Sequence, residues 1–150
     1  MKRVTQISLV VGLVMVLVYV YDGLAKSPGK ASFFSVLNGG QVVPPSTSNG
    51  MGVAFLTFDG ATKQLCYSIT YSGFQGTETE AHLHNGSVGE TNVVLFDLNP
   101  LGSPKLGCVG PFTRAEENAL KRGLMYINIH TDVFPAGEIR GQVLPARSVR

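Results

Sequence analysis

Charge is scarce in this chain and evenly spread. Charged residues make up 15% of its 150 positions, the net charge is +2, and neither sign forms a run. That removes two classes of partner. A nucleic-acid surface needs clustered Lys and Arg, and attraction to anionic membranes needs a polybasic stretch. Several catalytic signatures are missing as well. The chain has no Gly-x-Ser-x-Gly elbow and no glycine-rich phosphate loop. No His neighbours Cys108 and no Met follows it before Met125, so the ligand loop of a blue-copper site is absent. Internal repeats and low-complexity segments are lacking too. What remains is one small domain's worth of core with no sign of an enzyme.

Long apolar runs are also short here. Ile7 to Tyr21 is apolar, but a bilayer core needs about 20 such residues. Met1-Lys2-Arg3 precedes it as a basic start, and Gly23-Leu24-Ala25 follows with small residues. This is the layout of a cleavable signal peptide over residues 1–25, against the alternative of an uncleaved anchor. The expected product is periplasmic or secreted, and it leaves the membrane once the leader is removed. Residues 26–31 read as a linker, 32–144 as the domain and 145–150 as a tail.

Only two cysteines occur, Cys66 and Cys108. In an oxidising compartment they are most simply a disulfide, with Cα atoms about 4.4–6.8 Å apart. The alternative is two buried thiols.

From Ser32 onward, short apolar runs alternate with turn signals. Strands are expected over 33–37, 53–58, 65–71, 79–84, 92–98, 124–131 and 138–143, with a hairpin turn at 59–63 and a loop at 132–137. One helix interrupts them. Thr113 and Glu116 form a capping box, Glu117 and Lys121 are spaced i, i+4, and Gly123 ends it. The fold class is all-β: an antiparallel, Greek-key-like sandwich or barrel with one short connecting helix.

Three histidines are present, all on expected strands. His82 and His84 are two apart and share a face, while Ala81 and Leu83 point inward. Ile127 and Ile129 likewise point inward, which leaves Tyr126, Asn128 and His130 on the opposite face. On the last strand, Ile139 and Val143 inward put Glu138, Arg140 and Gln142 outward. Pairing these two strands sets His130 beside Glu138, Asn128 beside Arg140 and Tyr126 beside Gln142. Two readings stand. In one, His82, His84 and His130 hold copper or zinc, with Glu80, Asn128, Asp132, Glu138 and Arg140 as supporting neighbours. In the other, the patch is a hydrogen-bonded polar network, with Glu138 and Arg140 an ordinary surface ion pair.

The same residues carry a family resemblance. Ala81-His82-Leu83-His84-Asn85-Gly86, then Tyr126-Ile127-Asn128-Ile129-His130-Thr131, then Pro135-Ala136-Gly137-Glu138-Ile139-Arg140-Gly141-Gln142 resemble the CHRD (chordin) domain. Leu37-Asn38-Gly39-Gly40-Gln41-Val42-Val43-Pro44-Pro45 resembles its opening segment. The resemblance implies a β-rich extracellular or periplasmic module, immunoglobulin-like or superoxide-dismutase-like in fold. Growth-factor antagonism does not carry over, because the chain has one copy and none of chordin's cysteine-rich modules. The leading expectation is a non-enzymatic binding or scaffold module for an extracytoplasmic protein or polysaccharide. The alternative is a copper- or zinc-binding protein, redox-active if the ion is copper. Ala81-His82-Leu83-His84 is more weakly similar to the metal-binding strand of copper/zinc superoxide dismutase, but three histidines are too few for that two-metal site.

Overall fold

The computed structural model describes residues 29–146. The expected signal peptide, the first part of the linker and the tail beyond 146 lie outside the described residues.

Strands β1 (Lys30–Asn38), β2 (Met51–Asp59) and β3 (Gln64–Ser72) form an antiparallel meander. Each alternates buried and exposed positions, the period-2 signature of a sheet with one covered face. The β2–β3 turn is held by Asp59, whose carboxylate accepts the Ala61 and Thr62 amides at 2.8 and 3.3 Å. These bonds, Ala61's first, hold the Asp59 carboxyl below its ordinary pKa. The chain then crosses to β4 (Glu78–Asn85) and β5 (Val94–Asp97), and returns through β6 (Lys105–Val109) to pair with β3.

Helix α1 (Arg114–Lys121) follows with the expected capping box: the Glu116 amide donates to Thr113 Oγ1, and Thr113's amide to Glu116. Strands β7 (Met125–Thr131), β8 (Ile139–Gln142) and the short β9 (Leu144–Pro145) complete the fold. The spatial order is β5-β4-β7-β8-β1-β2-β3-β6, with β9 beside β1. The described residues form an all-β, nearly closed barrel with one α-helix. The two ends of the sheet are tied by Lys105 of β6: its Nζ, fully buried, donates to Glu78 of β4 and to the Leu98 and Pro100 carbonyls just after β5. Phe33, Leu37, Leu56, Phe58, Leu65, Ile69, Leu83, Ile127, Ile129 and Ile139 fill the interior.

Three expectations need correction. Residues Lys30 and Ala31, read as linker, already belong to β1. The strand expected at 92–98 is only the four residues of β5, and β6 was not foreseen. Cys66 and Cys108 are disulfide-bonded, but their Cα atoms are 3.9 Å apart, closer than the expected range. They sit directly opposite each other on β3 and β6, so strand pairing sets the spacing.

Candidate metal centre

Strands β4 and β7 are neighbours in a register that places Glu80 opposite His130, His82 opposite Asn128 and His84 opposite Tyr126. His82 is therefore diagonal to His130, within reach of a long side chain. The rings converge as that register requires. Centroids are 5.0 Å apart for His82 and His130, and 5.6 Å for His82 and His84. One ligand nitrogen from each of the three histidines lies within 4.8 Å of the other two.

Hydrogen bonds fix which nitrogens are free. His84 Nδ1 is 2.9 Å from the Asn92 carbonyl, and His130 Nδ1 is 2.9 Å from the Pro135 carbonyl. A carbonyl only accepts, so both Nδ1 atoms donate and both Nε2 atoms carry the lone pair. His84 Nε2 is buried with no partner. His82 Nδ1 lies 3.3 Å from His130 Nε2. Two nitrogens bound at about 2.0–2.1 Å to one tetrahedral ion stand about 3.3–3.4 Å apart, so this pair already has a chelating separation. His82 Nε2, on the far side of the ring, faces Asp97 at 3.5 Å and Glu80 at 3.7 Å. Without an ion the His82 Nδ1–H donates to His130. For His82 Nδ1 to hold an ion, its proton would have to sit on Nε2 instead, where the two carboxylates could accept it.

Burial, followed by the charge of His130, holds the His82 imidazole below its ordinary pKa, and burial chiefly does the same for His84. Both effects favour neutral imidazole, the form that binds metal. Each of the three imidazoles offers one ring nitrogen to the centre and has its other ring nitrogen near an oxygen. Such a set suits copper or zinc.

The polar face expected to be open to solvent is largely covered. His84 stacks flat on Tyr126, with centroids 4.6 Å apart and planes 3° from parallel. The Arg140 guanidinium lies over the Tyr126 ring at 3.5 Å and donates to the Ser87 carbonyl. The Asn92 amide donates to Tyr126 Oη at 3.1 Å. Gln142 Nε2 donates to the Gly86 and Gly123 carbonyls at 2.8 Å. The loop through residues 86–92 is pinned over the face by these bonds.

Of the expected supporting neighbours, Glu80 lies near His82, while the Asn128 amide N–H points at the His130 Nε2 lone pair and would have to give it up to an ion. Asn128 Nδ2 is 3.2 Å from His130 Nε2 and 3.1 Å from the Ala136 carbonyl. Arg140 is opposite Asn128 as expected, but it is buried and lies over the Tyr126 ring rather than against a histidine. Asp132 faces away from the histidines and accepts the Thr77 amide at 2.7 Å. Glu138 is the clearest correction. Its carboxylate is fully buried and accepts from Ser48 Oγ, the Gln75 amide and Thr131 Oγ1. It touches neither His130 nor Arg140, and no surface ion pair forms. The β7–β8 ladder ends at Ile129 and Ile139, and Gly137 has φ +126°, so the alternation that placed Glu138 outward stops one residue short. Asp97 and the Asn92 and Pro135 carbonyls were missed. Asp97 sits in a strand without any special spacing to His82, and a backbone carbonyl carries no sequence signature.

A family model for the CHRD domain matches residues 33–143. The chain belongs to the CHRD-domain family. The match spans β2 to β8 and all but the start of β1, stops just before β9, and includes all three histidines. No curated protein and no solved structure matches this CHRD chain. Among its described residues, no helix is long and apolar enough to cross a membrane.

Proposed function

We propose that this CHRD-domain chain is an exported, non-enzymatic binding protein whose ligand is one copper or zinc ion. His82 Nδ1, His84 Nε2 and His130 Nε2 hold the ion. One observation carries the reading: three imidazoles from two strands converge, and the buried lone pair of His84 Nε2 has no partner. A buried acceptor left unpaired costs about 1–3 kcal/mol, and a bound ion would satisfy the one on His84. Export is supported by the basic start, apolar stretch and small residues of positions 1–25. The absence of an acyl-transfer elbow or phosphate loop in the sequence agrees with binding rather than catalysis.

The experiment is elemental analysis of the chain purified from the compartment it is exported to, followed by equilibrium dialysis against copper and zinc. About one ion per chain is expected. His84→Phe keeps the stack on Tyr126 and removes the ligand nitrogen, and it is expected to weaken binding at least about 10-fold. An ion-free native protein whose weak uptake is the same in the variant would contradict the proposal.

A further inference from the structure

The outer face of β1, β2, β3 and β6 is uncharged and largely apolar. Cross-strand registers lay its outward side chains in rows: Asn38–Met51–Ser72, Val36–Val53–Thr70, Phe34–Phe55–Ser68–Leu106 and Ser32–Thr57–Cys66–Cys108. None of these residues is charged. The first charged pair, Lys30 opposite Asp59, comes only at the end of the face. Leu144 of β9 extends the Phe34 row. Phe55 is 66% exposed, Leu106 63% and Met51 61%.

Seven apolar residues, Phe34, Val36, Met51, Val53, Phe55, Leu106 and Leu144, leave roughly 600 Å² of side chain in water, counting a fully exposed large residue at about 150–200 Å². The largest apolar patch of a typical monomer is about 300–600 Å². A standard interface buries about 800 Å² per partner. The seven residues with the serines, threonines and disulfide between them supply that area.

We infer that this face is a homodimer interface, covered by the same face of a second copy. The absence of charge argues against an acidic or basic partner, which would find nothing to pair with. A polysaccharide would lose water from its hydroxyls against Phe, Val and Met, which return no hydrogen bonds. A second copy presents the same uncharged rows. A two-fold rotation sets Phe55 and Val53 of each copy against those of the other, and two twisted sheets pack face to face at about 30°. The metal centre lies on β4 and β7 and is not part of this surface, so the inference is independent of the ion.

The experiment is sedimentation velocity of the exported chain from about 1 to 100 μM, the range that resolves micromolar association. A dimer forming within that range is expected. Phe55→Lys, an exposed position, should weaken association at least about 100-fold with its circular dichroism spectrum and metal uptake unchanged. Val53→Lys should do the same and serves if Phe55→Lys folds poorly. Val88→Lys, exposed on the loop after β4, should leave the dimer intact. A wild-type chain that is monomeric throughout, whether bare or carrying lipid or another protein, overturns the inference. So does a dimer that survives both Lys substitutions on the face.

Discussion

Replacing Glu138 with Gln tests whether that carboxylate serves the fold or the histidines. Oε1 accepts from Ser48 Oγ and from the Gln75 amide, both at 2.7 Å, and Oε2 accepts from Thr131 Oγ1 at 2.8 Å. Gln keeps one acceptor oxygen. If that oxygen stays with Ser48 and Gln75, the new NH₂ group faces Thr131 Oγ1, which already accepts the Phe134 amide at 3.1 Å. The Thr131 hydroxyl proton must then turn into a fully buried region. A hydrogen bond to a charged group contributes about 1.5–3 kcal/mol, and the two retained bonds weaken from charged to neutral. The expected loss is about 2–4 kcal/mol. For a domain of this size that is a fall in melting temperature of about 10 °C. Metal affinity should not move, because no atom of Glu138 contacts the three histidines. Thermal unfolding by circular dichroism, with a metal titration of the same sample, reads both quantities. An unchanged melting temperature would refute the buried network. A 10–100-fold loss of metal affinity would place Glu138 beside His130 after all.

Tyr126→Phe keeps the stack between His84 and Arg140 but removes the hydroxyl that accepts the Asn92 amide; freeing the loop that fixes His84 Nδ1 should weaken metal binding about 10-fold, read by isothermal titration. Replacing Cys66 and Cys108 by Ser opens a loop of sequence separation 42 and should cost about 4 kcal/mol in chain entropy, measured by urea unfolding; no loss would mean that strand pairing alone holds β6. His82 and His84 have folded pKa values below the ordinary one, so the unfolded chain takes up protons first as pH falls. The ion-free protein should therefore lose stability on acidification below about pH 6.5, and the double variant His82→Asn, His84→Phe should lose less over the same interval.

Much of the fold was legible because one physical signal, period-2 alternation, governs most strands. It placed β2, β3, β4 and β7 within a residue or two and set the β7–β8 register, with Asn128 opposite Arg140 and Tyr126 opposite Gln142. The signal fails where a strand is short or its inward residue is polar. In β6, Gly107 adds no apolar side chain and the inward residue is Lys105, whose burial depends on Glu78, 27 positions away. It fails again at Glu138, where backbone beyond the ladder turns the side chain inward. The three-histidine face was legible for the same reason as the strands: i, i+2 spacing on β4 and alternation on β7. What shapes it was not, because Asn92 and Pro135 contribute carbonyls, which any residue has, and the loop over Tyr126 is placed by contacts far apart in sequence.

If His82, His84 and His130 share one ion, its coordination shell must contain three imidazoles. X-ray absorption at the copper or zinc edge, on protein loaded with about one equivalent, tests it most directly. Imidazole scattering from three nitrogens at about 2.0–2.1 Å is expected, falling to two in His84→Phe. A shell of oxygens alone, or a spectrum unchanged when His84 is replaced, would contradict it.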